Sequence, residues 1–399
     1  MNKTIKHKVI IWGADDFNTL GLLRQLSSPE IELFFLIKGK LSYASKSIYC
    51  QNSYQTNNIE EGVEYLLANF TEETYKPIII TSSDSIITFI DKHRAELSLH
   101  FILPGTTESG LIEKYIDKVA MTNLAKEHHF LCPKSQSVKW NSDISSIEFP
   151  CIIKPSHEQP GQYNEFKVKI CKNATELRRI LKYVRHNSEF ILQQYIEKEF
   201  DLLIYGARLL SGDTILAGAM IRDRYSDSGS ASHGYITNNI PVSANIDGIN
   251  SFLKSIDYYG PFSFEYGLVG DKAYFFEVNL RNDGTSHYFY QAGANIPLAY
   301  VYSCANKGHN SISTKVRSTP QYFIDEEFDI ENVLHRRVSS KRYKLEKQQA
   351  TIFKYYDADD FAPWQYVHKH RIKQIIKNII LKKYRIYIVR LFEKFGLKK

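Results

Sequence analysis

Short, wholly apolar runs alternate with amphipathic ones over the first hundred residues, at the lengths of strands and helices. KVIIW, IELFFLI, PIIIT and HFILP predict strands; FNTLGLLRQL, GVEYLLANF and the single stretch SIITFIDKHRAEL predict helices. Strands that alternate with helices build a parallel sheet. GADD after the first strand is turn chemistry, and with no G-x-G-x-x-G it gives no dinucleotide fingerprint. Asp84, just after PIIIT, is placed to line a cleft, but its better reading is a cap on the helix that it precedes.

The pattern then changes. SGLIEKYIDKVAMTNLAKEHHFLCPKS reads as two helical stretches. FPCIIKP, KVKICKN and FILQQYI read as strands, with the amphipathic helix ATELRRILKYVRH between the last two. DLLIYGARLL, TILAGAMIRDR and ASHGYIT continue the strand-rich run, so this part is α+β beside the α/β opening. From Arg317 the sequence turns charged and aromatic. It ends in one long helical pattern with a continuous apolar stripe through residues 372–395.

PFSFEYGLVGDKAYFFEVNLRNDG predicts a hairpin. A three-residue loop, Gly270-Asp271-Lys272, sets Glu265 opposite Glu277. Alternation puts Asn279 and Arg281 on the same face, and Phe262, Phe264, Phe276, Val278 and Leu280 toward a core. Facing carboxylates destabilise a strand pair. A hard divalent cation, which takes oxygen ligands and shares them with phosphates, removes that penalty. An arginine beside it suits a phosphoryl group in transfer.

This hairpin resembles the metal-binding strand pair of the ATP-grasp superfamily, an upstream acid followed by E-x-N-x-R. Further matches follow in order over roughly residues 8–300: Lys118 in IDKVAMTN and Lys154 in FPCIIKP for the two phosphate lysines, and FILQQYIEKEF for the adenine hinge. The resemblance implies ATP contacts at Lys118, Lys154, Gln194, Tyr195, Ile196 and Glu199, the last on the ribose. It implies Mg²⁺ (or Mn²⁺) on Glu265, Glu277 and Asn279. A closer similarity, carried by PIIITSSDSIITFIDKHRAEL, MIRDRYSDSGSASHGYIT, FIDEEFDIENVL and KYYDADDFAPWQYV, is to the carboxylate–amine ligase branch that includes D-aspartate ligases. It implies Arg222 and Arg224 on the substrate carboxylate or acyl phosphate, with Arg281 as the third catalytic arginine. The glycine-rich lid loop of the superfamily is replaced by SHEQPGQYNEF, where Lys167 or Lys169 would assist, and the hinge acid by Gln194.

The implied fold is an ATP-grasp fold: a Rossmann-like parallel-sheet domain at 1–108, an ATP-grasp domain at 109–316 with a lid subdomain near 140–195, and a C-terminal extension at 317–399. The implied reaction is ADP-forming ligation of a small-molecule carboxylate to an amine, in cell-envelope precursor synthesis.

Composition narrows the alternatives. A 43% hydrophobic, 13% aromatic chain is a globular one. Cys50, Cys132, Cys151, Cys171 and Cys304 form no CxxC pair and read as reduced thiols. No secretory leader or membrane-length apolar run is present, which predicts a cytoplasmic protein. Residues 365–399 hold eleven Lys/Arg and one acid, a net +10; the other 364 residues carry −3 of the total of +7. This basic, aromatic tail supports a second reading, a binding protein with a degenerate ATP-grasp core. Its apolar stripe favours packing on the body or an anionic membrane surface, at the inner face of the membrane, over nucleic acid. No G-x-S-x-G or Cys/His context supports nucleophilic catalysis.

Overall fold

A computed structural model describes residues 5–139, 141–144, 147–155, 168–182, 189–226, 229–371 and 373. The basic tail beyond 373, the whole SHEQPGQYNEF loop, Lys167 and the end of the ATELRRILKYVRH helix lie outside the described residues.

Strands β1 (Lys8–Gly13), β2 (Glu32–Lys38), β3 (Ser53–Thr56) and β4 (Ile78–Ile80) form the N-terminal sheet, ordered β3-β2-β1-β4. Every pair in it is parallel. The apolar runs exist because both faces are covered. Val9 and Ile11 enter one core while Ile10 and Trp12 enter another, under Leu66, Ile86 and Ile90. The helix expected over SIITFIDKHRAEL is two, Asp84–Lys92 and Arg94–Leu97, broken at His93. HFILP contributes only a bridge, Ile78 to Ile102.

Strand β5 (Gly105–Thr106) leaves this unit and pairs with Tyr258 and Tyr259, far along the chain. Next come β6 (Ser135–Lys139), β7 (Cys151–Pro155), β8 (Lys169–Cys171) and β9 (Glu189–Gln194), an antiparallel sheet ordered β6-β9-β7-β8. The helix Ala174–Leu181 closes one face of it through Leu177 and Leu181.

The rest is one large sheet: β10 (Phe200–Arg208), β11 (Thr214–Tyr225), β12 (Ala231–Thr237), β13 (Tyr258–Val269), β14 (Lys272–Asn279), β15 (Gln321–Ile324) and β16 (Ile352–Phe353). Its order is β14-β13-β10-β11-β12-β15-β16. Leu202, Ile204, Phe262 and Phe264 face helices Lys118–Glu127 and Ile246–Ser255. Leu203, Tyr205 and Ala207 face the opposite way, into a core shared with Val9, Ile11, Leu20 and Leu23 of the N-terminal unit. One apolar core thus joins the two sheets.

A polar clasp reinforces that seam. Arg24, on helix Phe17–Leu26, donates from Nε to Asp360 (2.9 Å) and from Nη2 to the carbonyls of Tyr355 (3.1 Å) and Asp360 (3.0 Å). The two side chains are 1% and 0% exposed. Asp360 also accepts from Ser47 Oγ and Ile48 N–H. His287 lies 3.3 Å from Arg24 Nη1. Burial, then Arg24, push its imidazole down to about 3, so it is neutral there.

Asp360→Asn would leave Arg24 buried with only the more distant and partly exposed Asp357, at 3.7 Å, as countercharge. That should cost about 3–5 kcal/mol, read as a lower denaturant midpoint with an unchanged slope.

Candidate active site

The hairpin of β13 and β14 closes with two residues rather than three. Val269 pairs with Lys272 across Gly270-Asp271, and Gly270 takes φ +52°, the positive angle a primed turn needs. A bulge between Glu265 and Tyr266 inserts Phe276 and restores the expected register, so Glu265 does face Glu277. The bulge also changes which phenylalanine is inside. Phe275 is 1% exposed in the core, whereas Phe276 lies half-buried on the other side, against Gly267 and Lys198.

Burial, then the charge of Glu265, raise the carboxyl of Glu277 above its usual range; Lys118, Lys154 and Arg281 pull the other way. Glu265 is steadied by Arg222, whose Nη1 donates to Oε2 at 3.1 Å. Burial disfavours the Arg222 charge, but Glu265 and Asp283 outweigh it. Asn279 donates to Glu265 Oε1 (3.3 Å), Ser263 Oγ (3.1 Å) and Asp283 Oδ2 (3.4 Å). Asp283 is buried and also accepts from Ser263 Oγ, Thr285 N–H and Thr285 Oγ1. Burial would raise its carboxyl, but Arg281, Thr285 and Arg222 hold it below the usual range.

Arg281 stands at the end of this row. Its Nε and Nη2 donate to Asp84 Oδ1 (2.6 Å) and Oδ2 (3.0 Å), Nη2 to Asn279 Oδ1 (3.4 Å), and Nη1 to Asn282 O (3.2 Å). Asp84 is therefore not the expected helix cap. Ser83 occupies the cap position without a capping bond from its side chain, and the Asp84 carboxylate turns to the arginine instead.

Lys154 approaches from the small sheet and Lys118 from a helix packed on the large one. Asp117 caps helix Lys118–Glu127 by accepting from Val119 and Ala120 N–H, which fixes Lys118 at its first turn. Lys154, on β7, donates to Gln193 Oε1 at 3.1 Å. Burial, then Lys118, push its ammonium down to about 8, against the pull of Glu277. Lys118, Thr122, Lys126, Lys154 and Gln193 line a cavity of about 60 Å³. Both lysines and the Glu265–Glu277 pair thus meet at the gap between the small and large sheets.

The hinge residues spread out. Gln193, not Gln194, reaches Lys154; alternation from Ile191, the register partner of Lys154, would have shown this. Gln194 lines a different cavity, of about 260 Å³, with Lys134, Glu148 and Cys151. Tyr195 N–H is bonded to Pro150 O, Ile196 is buried, and the exposed Glu199 accepts from Gly270 N–H at 3.1 Å. Arg224 is parted from Arg222 by a bulge in β11 that leaves Asp223 without a register partner on β12. Its guanidinium grips Asp329 at 2.6 and 2.8 Å and Glu346 at 2.9 Å. His233 bonds Asp223 at 2.7 Å. Lys169 is exposed on β8. Asp283 and Ser263 were missed in the sequence; Ser263 has the parity of Glu265, but Asp283 sits in a loop with no period to reveal it.

Among the described residues no group of three or more His, Cys, Asp and Glu side chains forms a metal cage. Two carboxylates and an amide remain, which is the oxygen donor set of a cation that shares its shell with phosphates. The repulsion that raises the Glu277 carboxyl is what such a cation would relieve. These residues fit Mg²⁺, with the Asn279 amide turned to present its oxygen.

No protein-family model matches the chain. It is 24% identical over 257 residues to a D-aspartate ligase of Enterococcus faecium (strain Aus0004), covering 60% of this chain and 61% of that protein. The chain thus spans about three-fifths of the length of the curated relative it matches. Its structure resembles an ADP complex of purK, an N5-carboxyaminoimidazole ribonucleotide synthetase (TM-score 0.63, 15% identity, 84% of this chain and 87% of that one). It resembles the N5-carboxyaminoimidazole synthetase of Staphylococcus aureus (TM-score 0.64, 13%, 84% and 88%) and an L-amino acid ligase of Bacillus licheniformis (TM-score 0.57, 13%, 75% and 74%). Parallel N-terminal sheet, small antiparallel sheet and large sheet, with the acid pair and the two lysines at their junction, give the chain an ATP-grasp fold.

Proposed function

We propose that the chain is an ADP-forming ligase that joins a carboxylate to an amine through an acyl phosphate. The observation that carries this reading is the meeting of Lys118 and Lys154 with the facing Glu265 and Glu277 across the gap between two sheets. Opposite charges arranged around one opening suit a nucleotide triphosphate and its cation.

Lys118 and Lys154 hold phosphate oxygens, and Gln193 fixes where the Lys154 ammonium points. The hinge Gln194-Tyr195-Ile196 takes the adenine and Glu199 the ribose, which requires Glu199 to exchange its bond with Gly270. Glu265, Glu277 and Asn279 would hold Mg²⁺, which would supply charge neutralisation for the triphosphate. A substrate carboxylate oxygen then attacks the γ-phosphorus and ADP departs. The amine nitrogen attacks the acyl carbon, the C–O bond to phosphate breaks, and the amine proton passes to water. Arg222 and Arg281 face the charge that develops on the transferred group. Arg224, engaged by Asp329 and Glu346, acts on the substrate side by holding the bulged end of β11 in place. The likeness to a D-aspartate ligase makes acidic amino acids the first substrates to try, with cell-envelope precursors as the molecules they are joined to. For the cationic residues of 365–399 we propose contact with an anionic membrane surface.

Phosphate release should appear when MgATP is supplied with mixtures of D- and L-amino acids and envelope precursors; no release from any mixture would sink the reading. Glu277→Gln should lower that turnover by about 100-fold or more. Lys154 is charged below about 8 and neutral above. Binding of triphosphate needs the charged form, so kcat/KM for ATP should fall as pH rises through about 8. Lys154→Met should remove that limb of the profile. Vesicles of phosphatidylglycerol should sediment the whole chain and leave behind one that ends at Trp364, while neutral phosphatidylcholine vesicles bind neither.

A further inference from the structure

The environment of Arg281 has a feature that the ligase reading does not require. A guanidinium has five N–H donors. Asp84 takes two of those of Arg281, Asn279 Oδ1 one and the Asn282 carbonyl one. One N–H on Nη1 is left without a partner among the described residues. Two-point contact with a carboxylate fixes the plane of the group as well as its place. The arginine side chain is 14% exposed and the aspartate 61%, so the grip comes from the open side of the site.

Asp84 belongs to the other unit, 197 residues earlier in the chain. It begins the helix after β4. The N-terminal sheet runs β3-β2-β1-β4, so its order reverses between β1 and β4. The loops that follow those two strands flank the crevice at such a reversal. Arg281 lies just past β14, two residues beyond Asn279. The ion pair therefore bridges the N-terminal crevice and the acid row of the large sheet.

We propose that Asp84 is a positioning residue for phosphoryl transfer: its two-oxygen grip on Arg281, from the N-terminal sheet, aims the remaining Nη1–H at the group in transfer. This rests on the ligase reading and adds that the aim of Arg281 is set by the docking of a separate unit. An ion pair that only tied two domains together would be worth little at 61% exposure. Its loss would not depend on what occupies the site.

The test is calorimetric titration with MgADP, alone and with aluminium fluoride, which mimics the phosphoryl group in transfer. In the parent chain fluoride should tighten MgADP binding by about tenfold or more. Asp84→Ala should bind MgADP within about twofold of the parent, which shows an intact fold and nucleotide site, yet lose most of the fluoride-dependent tightening. Arg281→Ala should lose the same amount, and the double variant no more than either alone. Equal tightening in Asp84→Ala, or losses that add in the double variant, would overturn the proposal. So would a parent that binds MgADP with no response to fluoride. A parent that binds no MgADP would instead remove the ligase reading on which it rests.

Discussion

Two carboxylates held opposite one another on paired, half-buried strands are an electrostatic liability, and the surroundings of Glu265 and Glu277 are organised by it. Arg222 reaches over from β11 to one of them, Asn279 donates to the same carboxylate, and Lys154 approaches from the small sheet and Lys118 from a helix end. Each of these groups also bears a cost. Lys154 is driven toward its neutral form by burial and by Lys118, and Glu277 toward its protonated form. Both shifts oppose the ionised states, and both lessen when opposite charge enters the gap. Ligands that bring opposite charge into the gap would thus relieve strain on both groups at once.

Much of the architecture was legible because it is periodic. Continuous apolar runs marked the parallel strands, since strands covered on both faces have no polar side to show. The acid pair was legible for the same reason: parity along β13 and β14 places Glu265, Glu277 and Asn279 on one face. The route to that result differed from the expectation, because a tighter turn and a bulge at Phe276 cancel. Period-two reasoning survives such a pair of compensating shifts but cannot see it, which is why Phe276 was expected in the core and Phe275 is there.

Long-range polar contacts were not legible. Nothing local to Asp84 distinguishes a helix cap from a partner for Arg281, since both uses need an acid after a strand. The Arg24–Asp360 bond and the grip of Asp329 on Arg224 span 336 and 105 residues. They depend on how the sheets dock rather than on any spacing. Strands β15 and β16 show the same limit. They lie in a charged, aromatic stretch with no strand period of their own, yet they extend the large sheet beyond β12.

The clasp around Arg24 has a consequence for synthesis. The N-terminal helix that carries this arginine emerges early, whereas its countercharge belongs to a segment more than three hundred residues downstream. A chain growing from its N-terminus can close the parallel sheet well before Asp360 exists. Until then the guanidinium has no carboxylate of this clasp to be buried against, so the polar closure of the joint waits for one of the last segments to be made, although it is among the most deeply buried contacts.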